Sequence, residues 1–464
     1  MEPDYKSLYF VGAGGIGMAA LERYFLSRGK KVAGYDRTPT DLTAALQAEG
    51  AEIVFDESPE LIPDYCRDPR QTLVVYTPAV PADHRGLLYF GSNGFKIVKR
   101  AELLGEVTRG SRGICVAGTH GKTTTSSIIA HTLHCSPIGC NAFLGGVLRN
   151  YGSNFLLSGT SPYSVIEADE FDRSFHHLTP HIAIVTATDP DHLDIYGTEE
   201  AYLESFAHFT ELIRPGGTLI LHTWLKLHPR VPAGVATVTY SRDEGDYHAT
   251  HVRKGNGEIV FDLVTPGGTI CGISLGVPVD INIENSVAAA AACLIAGVEP
   301  DVIRAAIGSF MGAKRRFEFW LKQPGPGGRV MIDDYAHHPD ELRASISSVK
   351  DLYPGRRLSV IFQPHLYSRT RDFAPQFAQA LSLADEVILL DIYPARELPI
   401  PGVTSKIIFD GIKCPSKVIC SKNDLIDTIK NYNFDVLLTA GAGDVSDYLP
   451  QILAVVEGKA QDME

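Results

Sequence analysis

Short apolar runs alternate with longer amphipathic stretches along this chain, and the alternation predicts an α/β fold. Residues 7–11, 31–35, 182–185 and 358–362 are almost continuously apolar, as is typical of strands buried on both faces of a parallel sheet. Glycine turns and helix-length stretches separate these runs. Strands that alternate with helices in this way predict parallel sheets covered by helices on both faces.

Two changes in the pattern mark domain boundaries. Residues 108–113 are polar and contain glycine, and Gly312 marks a second break. Residues 247–275 alternate between glycine turns, as an antiparallel layer does. At 464 residues the chain is too long for one compact core, and its length suggests about three domains. We predict three α/β domains, over 1–108, 109–312 and 313–464, and the strand–helix alternation of the last is of Rossmann type.

A glycine-rich turn joins the first predicted strand to the first predicted helix. Its residues Gly12, Gly14, Gly15, Ile16 and Gly17 fit G-x-G-x-x-G, and Asp36 ends the next strand about 20 residues on. The glycines let the backbone approach a pyrophosphate, and the acid accepts a ribose hydroxyl. The pattern predicts a site for a diphosphate–ribose group without specifying NAD; a tight turn without a ligand is the alternative.

A second loop of small residues follows the strand that ends at Ala117. Its members are Gly118, Thr119, His120, Gly121, Lys122, Thr123 and Thr124. Backbone N–H groups at a helix start attract phosphate, the lysine adds charge, and a threonine hydroxyl can hold Mg²⁺. Val116 stands where the strict phosphate-loop pattern has its first glycine. We predict an ATP-binding loop; an ordinary turn with a surface lysine is the alternative.

Polar residues follow several other predicted strands. Glu167 and His192 stand at two strand ends that should share a sheet edge with the ATP loop. Mg²⁺ prefers oxygen ligands, so Glu167 is the better candidate and His192 the weaker one. Asn282 and Asn285 suit either a purine edge or the start of a helix. Arg100, at a helix start, suits either phosphate or solvent.

The last third of the chain places histidines and arginines after strands. The residues concerned are Tyr335, His337, His338, His365 and Arg369. Together on one sheet edge, they are suited to binding a carboxylate or a phosphate.

Charge and composition exclude some classes of function. The formal net charge of −13 argues against nonspecific nucleic-acid binding. The eight cysteines are scattered without a C-x-x-C pair, which favours reduced thiols in a cytoplasm. No apolar run approaches about 18 residues, so we expect no membrane span. We expect a cytoplasmic protein.

The complete motif set resembles that of the Mur ligases, ATP-dependent amide-forming ligases that build the peptidoglycan stem peptide. The resemblance covers essentially the whole chain. It rests on GAGGIGM at 12–18, GTHGKTTT at 118–125, EADEFDRSF at 167–175, DPDHLDIY at 189–196, RRFE at 315–318, DDYAHHP at 333–339, FQPHLYSRTRDF at 362–373 and GAGD at 441–444.

This resemblance implies a bacterial protein with a Rossmann-like domain over 1–108, a central P-loop ATPase-type domain with a mixed sheet over 109–312 and a Rossmann-like domain over 313–464. It also implies substrates and residue roles. UDP-N-acetylmuramic acid would bind the first domain, and ATP would phosphorylate its lactyl carboxylate before the amine of L-alanine attacks. Lys122 would contact the β- and γ-phosphates. Two Mg²⁺ ions are implied, one on Thr123 and Glu167 and the other on Glu167 and His192. The remaining implied contacts are Asn282 and Asn285 at adenine, Arg316 at the nucleotide from the third domain, and Tyr335, His337, His338, His365 and Arg369 around the lactyl carboxylate and alanine. Which histidine accepts the amine proton stays open.

Three positions depart from the family pattern. Ala187 replaces an asparagine, Ile281 replaces a histidine at an adenine contact, and Leu366 replaces an arginine. The last change would leave carboxylate recognition more to Arg369.

Three other functions remain as alternatives. A related ligase attaches a recycled tripeptide to the same sugar nucleotide; EADEFD at 167–172 and the FQPH-type loop favour the single amino acid. An NAD-dependent oxidoreductase would explain the first glycine loop but not Lys122. A nonenzymatic nucleotide-binding regulator would not need the histidine-rich loops.

Overall fold

The computed structural model describes residues 5–77, 80–81, 83–190, 193–255, 257–325, 327–395, 397–432 and 434–461. The chain divides into two compact units. The first comprises Met1–Thr250, Asp262–Ile273 and Ile283–Phe310, and the second comprises His251–Phe261, Ser274–Asn282 and Met311–Glu464. The predicted boundaries at residues 108 and 312 stay predictions.

The first region is a parallel sheet with the order β3-β2-β1-β4-β5. Its strands are β1 Ser7–Val11, β2 Lys31–Tyr35, β3 Glu52–Val54, β4 Thr72–Tyr76 and β5 Lys96–Lys99. Its helices are α1 Ile16–Ser27, α2 Asp41–Ala48, α3 Arg85–Ser92 and α4 Arg100–Gly110. Val11 pairs in register with Tyr35 and Tyr76, so three strand ends lie together beside the first glycine loop. The prediction of a Rossmann-like region is confirmed.

The central region holds a mixed sheet with the order β12-β11-β10-β6-β9-β7-β8. Its strands are β6 Arg112–Ala117, β7 Asn141–Leu148, β8 Ser153–Leu156, β9 Tyr163–Glu167, β10 Ile182–Val185, β11 Thr218–His222 and β12 Ala236–Tyr240. Its helices are α5 Lys122–Cys135, α6 Leu193–Tyr196 and α7 Glu199–Glu211. Only β8 pairs antiparallel among these described strands, and β6 lies between β9 and β10. The loop after β6 therefore lies between the ends of two parallel neighbours.

A small sheet and two helices complete the central stretch. The strands β13 His248–Gly255, β14 Glu258–Thr265 and β15 Gly268–Ser274 form a separate three-stranded sheet. Helix α8 spans Ile281–Ile295 and α9 spans Pro300–Ser309. The alanines of α8 are almost fully buried, since small side chains allow close packing.

The last region is a six-stranded sheet with the order β16-β17-β21-β18-β19-β20. Its strands are β16 Glu318–Lys322, β17 Val330–Asp334, β18 Leu358–Phe362, β19 Glu386–Leu390, β20 Ser416–Cys420 and β21 Val436–Ala440. Its helices are α10 Pro339–Leu352, α11 Tyr367–Leu381, α12 Lys406–Phe409, α13 Leu425–Lys430 and α14 Leu449–Gln461. Strand β16 is antiparallel to β17, and the other pairs are parallel.

The apolar runs of the sequence form the cores. Strands β1, β18, β19 and β21 are buried along their whole length. Burying one large apolar side chain stabilises a fold by about 1.5–3 kcal/mol, so these central strands anchor the sheets. No described helix is both long and apolar enough to cross a membrane.

Candidate active site

The predicted ATP loop is a tight turn between β6 and α5. Gly118 has φ 140° and Gly121 has φ 82°, conformations that side chains rarely adopt. A Cβ atom on Gly118 would lie 2.7 Å from the backbone N of Ala187, and one on Gly121 would lie 2.7 Å from Oδ1 of Asn285. Both positions therefore require glycine. Because Gly121 is the N-cap of α5, no capping side chain covers the first N–H groups of the helix, which suit a phosphate.

Lys122 lies across this loop. Its ammonium Nζ donates to the carbonyl oxygen of Gly118 at 2.6 Å and to Oε1 of Glu170 at 2.8 Å. The carboxylate is almost fully buried, and the lysine side chain is 15% exposed. The structure thus places the predicted phosphate-binding lysine beside a carboxylate that the sequence reasoning did not single out.

Thr123 and Glu167 meet at the start of α5. The Thr123 hydroxyl donates to Oε1 of Glu167 at 3.0 Å, and the backbone N–H of Gly145 donates to Oε2 at 3.0 Å. Burial raises the pKa of Glu167, while the Thr123 hydrogen bond and the charge of Lys122 oppose that rise. A hydroxyl beside a carboxylate is an oxygen donor set that fits Mg²⁺, with phosphate oxygens and water completing the coordination.

The second predicted metal ligand, His192, lies outside the described residues. Within the part of the chain that the structure describes, no three His, Cys, Asp or Glu side chains are grouped to hold a metal ion. Among the described residues, the candidate Mg²⁺ site therefore consists of the oxygen atoms of Thr123 and Glu167.

Other polar residues fix the shape of the loop. The Thr119 hydroxyl donates to the carbonyl oxygen of Asp189 at 2.7 Å and lies 2.9 Å from the hydroxyl of Tyr202. The Thr186 hydroxyl lies 2.5 Å from the carbonyl oxygen of His120. His120 itself is exposed, and Thr124 is half-buried in the first turn of α5. Thr186 and Tyr202 were missed from the sequence because neither lies in a recognisable motif.

The two asparagines lie inside the first turn of α8. Asn285 Oδ1 accepts a hydrogen bond from the Thr125 hydroxyl at 3.2 Å and faces Gly121. Asn282 Nδ2 donates to the carbonyl oxygen of Val277 at 3.1 Å. Both side chains are buried, so Asn285 connects α8 to the phosphate loop.

The first glycine loop is held by backbone hydrogen bonds. The N–H of Gly12 donates to the carbonyl oxygen of Tyr35 at 2.8 Å. The N–H of Gly14 donates to Oδ2 of Asp36 at 2.6 Å, and Oδ1 of Asp36 accepts from the N–H of Thr38 at 3.2 Å. The predicted ribose acceptor thus already binds the loop backbone through Oδ2, while its Oδ1 accepts from its own chain segment. Gly15 is the N-cap of α1, which begins at Ile16.

A cavity of about 270 Å³ lies between Gly17 of the first glycine loop and Glu167, the carboxylate that accepts the hydrogen bond of Thr123. Gly17 and Arg100 line one side, and Glu167 and Asp169 line the other. A Cβ atom on Gly17 would lie 2.7 Å from a guanidinium nitrogen of Arg100, so glycine makes room for the arginine. Apolar residues complete the wall: Ile16, Ala20, Leu21, Leu104, Phe143 and Leu144. Residues predicted from separate motifs therefore share one cavity, and Asp169 joins them.

In the second unit, a cluster of rings forms after β17 and β18. Nδ1 of His337 lies 3.0 Å from the carbonyl oxygen of Tyr335. The ring centroid of His337 lies 6.2 Å from that of His365, which stacks on Tyr393 at 5.7 Å. Burial lowers the pKa of both His337 and His365. Both imidazoles are therefore neutral near pH 7 and able to accept a proton.

Two buried nitrogen atoms in this cluster have no hydrogen-bond partner among the described residues, namely Nδ1 of His365 and one guanidinium nitrogen of Arg369. Buried polar groups normally have partners, so this pair marks a place for a polar ligand. Leu366, next to His365, has φ 70°, a strained conformation of the kind that functional sites retain.

The other two predicted site residues of this unit, His338 and Arg316, contact the protein itself. Nδ1 of His338 accepts a hydrogen bond from the N–H of Asp340 at 3.4 Å, and this caps α10. The guanidinium of Arg316 lies 5.7 Å from the ring centroid of Tyr335, and its side chain is exposed. Tyr393 was missed by the sequence reasoning because it stands outside every quoted motif.

Three family models match successive parts of the chain. They are "Mur ligase family, catalytic domain" over residues 7–112, "Mur ligase middle domain" over 116–293 and "Mur ligase, glutamate ligase domain" over 315–443. A UDP-N-acetylmuramate–L-alanine ligase from Phocaeicola vulgatus is 57% identical over 98% of this chain and 99% of its own length. This chain belongs to the Mur ligase family.

Solved structures agree with this membership. The crystal structure of UDP-N-acetylmuramate–alanine ligase from Thermotoga maritima matches with a TM-score of 0.79 at 27% identity, covering 98% of this chain and 99% of the other. A murein peptide ligase from Psychrobacter arcticus matches with a TM-score of 0.62 at 22% identity, covering 97% and 98%. The second likeness shows the fold alone. These matches confirm the predicted α/β fold class of this chain.

Proposed function

We propose that this chain joins L-alanine to the lactyl carboxylate of UDP-N-acetylmuramic acid at the expense of ATP. The observation that carries the proposal is the cavity shared by Gly17, Arg100 and Glu167, because Gly17 belongs to a diphosphate-type glycine loop and Glu167 is hydrogen-bonded to Thr123 of an ATP-type loop. The 57% identity to an alanine ligase over nearly the full length supports the choice of substrates. Such a reaction, a step of peptidoglycan synthesis and hence of cell-wall biogenesis, draws on cytoplasmic ATP and sugar nucleotide.

The sugar nucleotide binds the first loop in this proposal. The N–H groups in the first turn of α1, which begins at Ile16, bind its diphosphate, with Arg100 as the cationic partner. Asp36 orders the loop through the N–H of Gly14 and shares an oxygen with the ribose. The lactyl end then extends through the cavity toward Glu167.

ATP binds the loop at residues 118–124. The N–H groups at the start of α5 hold its phosphates, and Lys122 moves onto the β- and γ-phosphates. Thr123 and Glu167 would hold one Mg²⁺, and His192 with Glu167 would hold a second. The ions supply positive charge that stabilises the transferring phosphoryl group. Asn282 and Asn285 position the adenine side, and Arg316 contributes a further contact to the nucleotide.

The chemistry then has two steps. A lactyl carboxylate oxygen attacks the γ-phosphorus, the bond to the β-phosphate oxygen breaks, and ADP leaves. The neutral amine of alanine attacks the acyl carbon of the resulting acyl phosphate, and the tetrahedral intermediate collapses to amide and phosphate. Lys122 offsets charge on the phosphoryl group throughout the first step.

The amine proton passes to a histidine of the second unit. His337 and His365 are suited to this because burial lowers their pKa values, which leaves them neutral near pH 7. The guanidinium of Arg369 receives a carboxylate of the substrates. Tyr335, whose ring centroid lies 5.2 Å from that of His337, contributes to the same site. His338 acts indirectly, since its ring nitrogen caps α10.

The tripeptide-recycling ligase is the rival within the family. Its likeness to this chain, at 22% identity, concerns the fold, whereas the single-amino-acid relative is 57% identical. An NAD-dependent oxidoreductase would not explain the loop that contains Lys122 or the pair formed by Thr123 and Glu167.

One assay separates these functions. The purified chain is supplied with UDP-N-acetylmuramic acid, ATP and Mg²⁺, then with single amino acids or the tripeptide, and ADP and amide product are measured. Release of ADP that depends on alanine, with equal amide formed, is the expected result. Turnover with tripeptide only would transfer the chain to the recycling reaction, and no ADP with any acceptor would contradict both.

A further inference from the structure

Glu170 is the one partner of Lys122 that the proposed chemistry leaves without a role. Its Oε1 accepts from the lysine ammonium at 2.8 Å, and the residue is 2% exposed. Its other oxygen, Oε2, is buried and has no hydrogen-bond partner among the residues that the structure describes. A buried carboxylate with one lysine partner depends strongly on that partner.

The backbone at Glu170 is held in place, while the side chain of Lys122 is flexible. The hydroxyl of Tyr196 donates to the backbone carbonyl oxygen of Glu170 at 2.5 Å. Asp172 and Arg173, which follow directly, have φ of 50° and 55°, so a strained turn begins just after Glu170. Lys99 pairs with Asp172 at 3.0 Å and holds this turn. Lys122, by contrast, reaches Glu170 through a flexible four-carbon stem.

A triphosphate therefore competes with Glu170 for the same ammonium. If Lys122 turns to the phosphates, Glu170 stays in place as a buried carboxylate that has lost its cation. Glu167 adds a second carboxylate near the same loop. Two carboxylates repel a highly anionic ligand, and a divalent cation bound with the phosphates removes that repulsion.

We propose that Glu170 is the counter-ion of Lys122 that makes tight ATP binding conditional on a divalent cation. It is a positioning residue, since it acts through Lys122 rather than by touching the reacting atoms. The inference rests on the proposed function only in taking residues 118–124 as the ATP loop. If the ion pair between Lys122 and Glu170 were purely structural, neutralising Glu170 would change the Kd of ATP by the same factor with and without the cation.

The test compares Glu170→Gln with the wild-type chain. Glutamine keeps the shape and an oxygen that accepts from Lys122 but removes the charge. The Kd of ATP is measured by titration calorimetry without sugar nucleotide or alanine, once with Mg²⁺ and once with EDTA. We expect Glu170→Gln to tighten metal-free ATP binding by about tenfold while changing the Kd of the Mg²⁺ complex by less than about threefold, since a neighbouring charge is worth on this order.

A matched control is Glu211→Gln, which neutralises the exposed carboxylate that pairs with His208 in the same unit. It should leave both Kd values unchanged. Unchanged or weaker metal-free binding in a folded Glu170→Gln variant would overturn the inference. The wild-type chain provides a check that needs no variant: equal affinity for ATP with and without Mg²⁺ would also overturn it.

An error in the proposed function would give different binding results from an error in the role of Glu170. A wild-type chain that binds no ATP under either condition would contradict the assignment of the loop. A chain that binds Mg²⁺–ATP and shows alanine-dependent turnover, with Glu170→Gln behaving like wild type, would contradict the role of Glu170 alone.

Discussion

At the scale of single residues, several side chains that the sequence predicted as ligand contacts already form hydrogen bonds within the protein. Asp36 uses both carboxylate oxygens on backbone N–H groups, and the Thr119 hydroxyl is taken by Asp189 and Tyr202. Asn285 holds Thr125 beside the loop. Sequence motifs identify which residues surround a ligand, but they do not distinguish residues that touch the ligand from those that shape the loop.

Substitution of Lys122 should affect catalysis without affecting the site for the sugar nucleotide. Lys122→Ala should lower kcat at least about 10²-fold, since it removes a charge that stabilises the transferring phosphoryl group. Binding of UDP-N-acetylmuramic acid, measured by calorimetry, should stay within about threefold of wild type, because Lys122 has no contact with the first glycine loop in the described structure. Lys226→Ala, at an exposed lysine of the same unit, is the control. Equal loss of both properties would mean that the sites are misassigned.

His131 predicts a pH dependence of stability. Its Nδ1 lies 2.6 Å from the Tyr151 hydroxyl and its Nε2 lies 3.0 Å from the Ser309 hydroxyl. Burial, helped by the charge of His134, lowers the pKa of His131 to about 4. In the unfolded chain the pKa of histidine is about 6.5, so between these values the unfolded state binds the proton that the native state does not.

The free energy of unfolding should therefore fall as the pH falls from about 6.5 to about 4. His131→Gln should flatten this dependence, as measured by thermal unfolding across that pH range. His228→Gln, which changes an exposed histidine of the same unit, should keep the wild-type slope. Identical slopes in wild type and His131→Gln would show that His131 does not control acid stability.

At the scale of elements, the strands were the most predictable feature. Continuous apolar runs such as 182–185 and 358–362 became the buried strands β10 and β18. The start of α8 was less predictable: Asn282 and Asn285 resemble helix caps in the sequence, yet α8 begins at Ile281 and includes both. The contact of Asn285 with Thr125 joins distant parts of the chain, which local sequence does not encode.

The ATP loop offers a prediction about one element. Gly121→Ala should weaken ATP binding by more than about tenfold, because a left-handed residue with a Cβ is strained by about 1–3 kcal/mol and would also press on Asn285. Gly159→Ala is the matched control, since a Cβ atom there meets nothing within 4 Å. Calorimetric titration with Mg²⁺–ATP measures both variants. Normal affinity in Gly121→Ala would show that the loop does not need its observed conformation.

At the scale of the whole molecule, the order of motifs along the chain predicted the fold class and the family. The motifs could do so because each is a strand end with its own chemistry, and parallel sheets bring strand ends to a common edge. The cavity between Gly17 and Glu167 was not predictable, because it depends on how α1, α4 and β7 pack. The role of Glu170 was likewise invisible, since only the folded chain brings it to Lys122.

The central claim is that the ATP loop activates a carboxylate linked to a sugar nucleotide. The most direct test uses UDP-N-acetylmuramic acid labelled with ¹⁸O in its lactyl carboxylate, together with ATP, Mg²⁺ and alanine. The account predicts that one labelled oxygen appears in the released inorganic phosphate, detected by mass spectrometry, in a one-to-one ratio with amide product. Unlabelled phosphate accompanying amide formation would contradict it.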